Sequence, residues 1–221
     1  MSRLLIIGFA VFMLLPMPGC AATETGGSGA GSGQELRSYQ GESLDSMSAF
    51  FENSIKGPQQ VDIDKYRLRI AGMVQSPLEL TYDRVIKDYP TVEKVITLYC
   101  VEGWQVKALW TGIPLPDILA KAGVKPQALV VIFRSVDGYS TSIPLDYVLD
   151  KKLMLAYKIN GVILPPERGY PFELAAEGKW GCKWIKWVNS IELSNDVNFR
   201  GFWESRGYNQ NGDLSGPIYQ D

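Results

Sequence analysis

The sequence predicts a strand-rich α+β fold, and three observations carry that reading. Short β-branched and apolar runs recur at 95–99, 129–133 and 154–159, each the length of a strand rather than of a helix. The two helical patterns, at 81–89 and 114–122, are both short. Asn160-Gly161 is a two-residue hairpin signal, which joins one strand directly to the next. With no internal repeat and no heptads, a mixed fold with short inserted helices is expected.

Arg3 precedes an apolar run over 4–15, which is too short to cross a bilayer comfortably and leads into Pro16-Met17-Pro18-Gly19-Cys20. This pattern resembles a bacterial lipoprotein signal, which implies cleavage after Gly19 and acylation of Cys20. Residues 1–19 are therefore expected to be a signal peptide. The mature chain is expected to be exported and anchored to the cell envelope, on its periplasmic or extracytoplasmic face, by a lipid on Cys20. A signal cut elsewhere, or an uncleaved anchor helix, is the alternative. Residues 21–34 are mostly Ala, Gly, Ser and Thr and carry too little apolar surface to bury. Residues 20–47 are expected to form a flexible, lipid-attached linker, and 48–221 a single domain.

Within that domain, 66–74 alternates apolar and polar side chains and ends in Gln75-Ser76-Pro77, as a half-buried strand entering a turn does. Thr81 can cap the helix over 81–89, and Asp83 lies in its first turn. The run over 95–99 leads straight into Cys100. The next predicted helix, 114–122, has Pro114 at its start, Leu115, Ile118 and Leu119 on one face, and Gly123 behind it. Cys100 is thus expected in a strand-to-helix connection. Residues 129–133 and 139–143 read as neighbours across Val136-Asp137-Gly138, 154–159 and 162–164 flank Asn160-Gly161, and 184–193 reads as a late strand.

Composition excludes much. The chain has no histidine, so a Ser-His-Asp triad, a His-bound zinc, and a haem or iron site drawing a histidine from this chain are all ruled out. The formal charge of −2 becomes about −3 once Arg3 leaves with the signal, and no basic arm stands out, so nucleic acid is not an expected partner. With Cys20 assigned to the anchor, Cys100 and Cys182 remain, and in an exported protein such a pair suggests a disulfide. A thiol–disulfide function for them lacks the close Cys-x-x-Cys spacing.

Several pieces carry a family resemblance: Tyr99-Cys100-Val101-Glu102-Gly103-Trp104; Asp137-Gly138-Tyr139-Ser140-Thr141-Ser142-Ile143-Pro144; Leu155-Ala156-Tyr157; Asn160-Gly161; Leu164-Pro165-Pro166; and the stretch from Lys179 to Trp187. Their order and spacing over most of 48–193 resemble the molybdopterin-binding domain of the sulfite oxidase family. Within it, the chain resembles the bacterial periplasmic methionine sulfoxide reductase catalytic subunit and its uncharacterised relatives.

The resemblance implies a Mo-molybdopterin cofactor with Cys100 as the thiolate on the metal, a role that suits a soft sulfur donor. Carried over position by position, it implies that Phe51, Glu52, Ser135, Arg168, Trp184, Ile185 and Lys186 hold the cofactor, the lysine against its phosphate. It also implies Tyr99, Glu102 and Trp104 near the metal, and a separate electron-transfer partner, because the chain has no haem domain. Two positions depart from the family pattern. Arg168 stands where Asn or His is common, and Glu173 stands where Arg is common, so either Arg168 takes over the phosphate contact and pairs with Glu173, or the pocket binds the cofactor differently or not at all.

The reading that follows is a molybdopterin-dependent oxidoreductase acting on a small sulfoxide- or sulfite-like oxo-substrate. Its rival is a cofactor-free lipoprotein binding module on the same fold, in which Cys100 and Cys182 pair. The tail over 199–208, rich in aromatics and arginines, is placed to fold over the pocket with Arg200 or Arg206 offered to an oxyanion; a packed extension with surface arginines is the alternative.

Overall fold

Alternating apolar side chains and tight turns assemble residues 33–220, those the computed structural model describes, into two five-stranded sheets and one small hairpin. The small hairpin pairs β1 (Ser38–Tyr39) with β2 (Glu42–Ser43). Along the chain follow β3 (Leu68–Gly72), β4 (Leu78–Leu80), α1 (Tyr82–Asp88), β5 (Val92–Tyr99), β6 (Gln105–Pro114), α2 (Leu115–Ala122) and β7 (Val130–Ser135). The remainder is β8 (Ser140–Pro144), α3 (Leu145–Asp150), β9 (Met154–Ile159), β10 (Val162–Ile163), β11 (Glu173–Ala175) and β12 (Val188–Ser194).

One sheet runs β4-β3-β12-β7-β8, and its only parallel pair is β3 with β12. A parallel pair cannot be joined by a hairpin, and here most of the domain lies between its two strands. The second sheet runs β10-β9-β6-β5, with β11 added against β9. Leu68, Ile70, Trp110, Ile113, Phe133, Phe172 and Ile191 are fully buried in the core. Each such large side chain contributes about 1.5–3 kcal/mol relative to exposure.

The local signals act as predicted at both longer helices. The Thr81 hydroxyl accepts from Arg84 N at the start of α1, and Gly123 ends α2 at φ 69°, in the left-handed region that a side chain disfavours. Asn160 and Gly161, at φ 49° and 80°, make the tight turn between β9 and β10. The last strand starts at Val188 rather than 184, because Gly181–Lys183 folds as a 3-10 turn before it.

Two expectations are corrected. Cys100 does not lead into a helix: β5 turns back into antiparallel β6, and α2 comes only after that second strand. The packed unit also begins before Ser48. Leu36 N donates to Asn160 O at 2.9 Å, Glu35 accepts from Met47 N at 2.6 Å and from Asn160 Nδ2 at 3.0 Å, and Leu44 is buried. The expected signal peptide, Cys20 and the first part of the expected linker lie outside the described residues. Among the described residues, no helix is long and apolar enough to cross a membrane.

Candidate active site

The turn between β5 and β6 presents the thiol. Tyr99 is the last paired residue of β5, Gly103 N donates to Cys100 O at 3.1 Å, and Cys100 N donates to Trp104 O at 2.8 Å, so the turn is closed on itself. Gly103, at φ 92°, makes that turn possible. Beside it runs the segment after β11, where Gly181 packs so closely that an added Cβ would lie 3.3 Å from Cys100 Cα. Burial pushes the Cys100 thiol above its ordinary value, against the opposing pull of the Glu102 backbone and the Asn53 amide.

Cys100 lines a cavity of about 320 Å³, a volume suited to a small organic ligand. Phe51, Glu52, Ser135, Arg168, Trp184, Ile185 and Lys186 line the same cavity, so one pocket gathers every residue proposed for cofactor binding. Phe51, 64% exposed, tilts against Trp104 at 5.8 Å between ring centroids and forms part of the cavity's edge. Trp184 is fixed from behind: its indole N–H donates to Lys179 O at 3.1 Å and its ring packs on Trp110 at 5.1 Å. Ile185 O accepts from Leu174 N at 2.9 Å, which ties this segment to β11. The Ser135 hydroxyl donates to Asp137, leaving its oxygen able to accept.

The cationic side of the cavity is made by Arg168 and Lys186. Lys186 Nζ donates to Glu52 Oε1 at 2.8 Å and to Glu167 O at 3.2 Å. Burial alone would raise the Glu52 carboxyl, but the hydrogen bonds from Lys186 and Ser54 and the charges of Lys186 and Arg168 together outweigh it and lower the group from its ordinary value. Arg168, 6% exposed, lies over the Phe50 ring at 4.8 Å, and its Nε donates to Glu167 O at 3.1 Å. The expected Arg168–Glu173 pair does not form among the ion pairs of the described residues. The aromatic ring and the carbonyl hold the guanidinium, while Glu173 Oε2 is buried without a partner.

Sequence reasoning passed over several residues of this cavity. Asn53 Nδ2 lies 3.6 Å from Cys100 Sγ and 3.0 Å from Glu102 Oε2. Its neighbour Glu52 reaches Lys186, so the 50–55 segment runs from the thiol to the cations; adjacency to Phe51 and Glu52 was the available signal. Asp137, read in the sequence as a turn residue and as part of the 137–144 motif but given no role in the site, also lines the wall. In the tail, Trp203 and Tyr208 line the cavity, while Arg200 and Arg206 are exposed and do not. Arg206 instead lies on the Phe202 ring at 3.7 Å and donates to Phe202 O at 2.6 Å. Glu204, 1% exposed, anchors this tail through Lys183 and Thr141. Cys100 and Cys182 are both free thiols, and burial pushes Cys182 up to about 11.

The donor set suits a metal–pterin group. Cys100 offers a soft sulfur and Arg168 and Lys186 offer charge to a phosphate. Trp104 Nε1 and Glu173 Oε2, both buried in the wall without partners, leave a donor and an acceptor for a bound molecule to satisfy. Among the described residues no cluster of three or more His, Cys, Asp or Glu could hold a metal, so further ligands would have to come from the cofactor.

Fold and site together define a molybdopterin-binding oxidoreductase domain. The chain belongs to the oxidoreductase molybdopterin binding domain family, whose model matches residues 55–203. It is 36% identical over 157 residues to the uncharacterized oxidoreductase YuiH of Bacillus subtilis, covering 71% of this chain and 78% of YuiH. It is 32% identical over 151 residues to YedZ1 of Azospira oryzae, provisionally named a protein-methionine-sulfoxide reductase subunit; that match covers 68% of this chain and 57% of the relative. A nitrate reductase [NADPH] of Fusarium oxysporum is 29% identical, with 18% of its length matched. The crystal structure of the sulfane dehydrogenase SoxCD from Paracoccus pantotrophus superposes with a TM-score of 0.61 at 28% identity, covering 63% of this chain and 41% of that one.

Proposed function

We propose that the chain is an exported, lipid-anchored Mo-molybdopterin oxidoreductase that transfers an oxygen atom, or electrons coupled to protons, to or from a small sulfoxide- or sulfite-like substrate. One observation carries this reading: a single cavity is lined at once by the Cys100 thiol and by the Arg168 and Lys186 cations, with the 50–55 segment running between them. Export and lipid attachment rest on the pattern of Arg3, the apolar run and Cys20 in the sequence. The sulfoxide preference is supported by the provisional name of the Azospira relative, and a separate electron partner by that relative's naming as a subunit.

When bound, the cofactor supplies the redox chemistry, and the protein supplies binding, orientation and electrostatics. Cys100 presents its sulfur from a closed turn, where hydrogen bonds from the Glu102 backbone and the Asn53 amide favour the thiolate that burial disfavours. The Asn53 amide lies between that sulfur and the Glu102 carboxylate and orients both. Lys186, held by Glu52, and Arg168 offer charge to the cofactor's phosphate. Ser135, backed by Asp137, offers a hydroxyl oxygen. Trp203 and Tyr208 bring aromatic surface over the cavity and exclude water from it.

The test is the molybdenum content, by elemental mass spectrometry, of the full chain purified from a host that makes the pterin. About one metal per chain is expected. Replacement Cys100→Ser is expected to leave the circular dichroism unchanged and to lower sulfoxide turnover by more than about 100-fold, beyond what losing a supporting residue costs. A folded chain without molybdenum from a competent host would overturn the reading and favour a binding module.

A further inference from the structure

Glu173 is buried in the cavity wall. It is 2% exposed, it sits in β11 opposite Ala156 of β9, and the next residue, Leu174, is tied through its N–H to Ile185 O. Its Oε2 has no hydrogen-bond partner. A carboxyl buried in this way is shielded from water, and an unpaired buried oxygen is costly unless a bound group satisfies it.

The charged groups that act on it come from two elements, Arg168 from the 3-10 turn Pro166–Arg168 and Lys186 from the segment before β12. Lys186 is shared with Glu52 from the 50–55 segment, and Arg168 is held by Phe50 and Glu167 O. On β9 the titratable side chains are Tyr157 and Lys158, with Lys158 lying over the Tyr157 ring at 5.6 Å. Two cations therefore face two carboxyls. With both acids ionised the local charges cancel, and with Glu173 protonated the wall carries a net positive charge and an O–H donor.

We propose that Glu173 makes this wall a proton-gated anion subsite, which takes the phosphate-bearing end of the cofactor with the uptake of one proton. This inference rests on the cofactor reading given above. The balance is simple: the carboxylate takes one proton from water, no covalent bond to the cofactor forms, and the resulting carboxylic acid donates to a phosphate oxygen. Burial already pushes the Glu173 carboxyl up to about 7 against the opposing pull of Arg168 and Lys186, and a nearby dianion raises it further. The subsite is therefore poised to lose its grip as pH rises above neutrality.

The test is cofactor retention by the full chain, wild type and Glu173→Gln, purified from a pterin-competent host and passed through gel filtration between pH 6 and 9. Molybdenum is read by elemental mass spectrometry and the pterin by the fluorescence of its oxidised form. In the wild type, apparent affinity is expected to fall by up to about tenfold per pH unit above about 7, as one linked proton requires. Glu173→Gln, which keeps the shape and a donor but cannot ionise, is expected to hold the cofactor equally at every pH. Parallel curves for the two proteins would overturn the proton linkage while leaving the cofactor reading intact. Folded protein without pterin at any pH would overturn both.

A second measurement needs no variant. Sulfate, a dianion that does not titrate in this range, is bound to cofactor-free chain at pH 8 by calorimetry in two buffers of different ionisation heat. Uptake of about one proton supports the proposal, and uptake of none overturns it.

Discussion

Burial raises the proton affinity of both Cys100 and Glu173, yet the two sit in different company. Cys100 has an amide donor and the exposed Glu102 beside it at the end of a turn, whereas Glu173 is enclosed with two cations that do not pair with it. The consequence for stability has a definite sign. The folded value of Glu173, about 7, lies above the ordinary 4.5, so the folded state binds its proton more tightly than the unfolded one. Its contribution is fully present below about 4.5, declines as pH rises toward 7, and is gone above. The loss is at most about 3 kcal/mol. Thermal melting of the cofactor-free chain is expected to show this decline between pH 4.5 and 7, and Glu173→Gln is expected to reduce it.

Among elements, the turn after β9 does more than reverse the chain. The Asn160 side chain accepts from Leu109 N at 2.9 Å and donates to Glu35 Oε1 at 3.0 Å and to Asp45 O at 2.9 Å, tying β6 and the N-terminal segment to one buried residue. The replacement Asn160→Ala strands the Leu109 N–H and places an alanine at φ 49°, and is expected to cost about 3 kcal/mol. Urea denaturation would show a lower midpoint with an unchanged slope if the loss is confined to these contacts. Gly112 plays a complementary part in β6: an added Cβ would collide with the Leu155 carbonyl at the irregularity where β6 crosses β9. The hairpin signal at Asn160-Gly161 was plain in the sequence, because a tight turn is decided by neighbouring residues. The return of β5 into β6 was not, because the turn after Cys100 offers no comparable signature and β6 is apolar along most of its length rather than alternating.

For the whole molecule, the N-terminal segment is part of the folded unit from Glu35 onward. Leu44 is buried, Asp45 caps Lys107 N at 2.8 Å, and Glu42 pairs with Lys107 at 2.6 Å. A chain that begins at Ser48 is therefore expected to melt about 5–10 °C below one that begins at Gly33, through lost apolar burial and unpaired groups on β6 and Asn160. Equal melting temperatures would show that 33–47 adds nothing to stability. The polar composition before residue 35 could mark a linker, but composition says nothing about where side chains find partners more than a hundred residues away, as Glu35 does with Asn160.

The sequence by itself determined the strand-rich class, the caps of α1 and α2, the β9–β10 turn, and part of the set of residues that meet in one cavity. These follow from local propensity and periodicity, or from an ordered series of motifs that resembles one family's. Tertiary structure alone decided that Cys100 sits in a strand-to-strand turn, that Arg168 rests on Phe50 and leaves Glu173 without a partner, and that aromatics rather than arginines of the tail face the cavity. The physical reason is common to all three: a side chain's partner is chosen by what packing brings within about 3–5 Å, and that choice is made between residues distant in sequence.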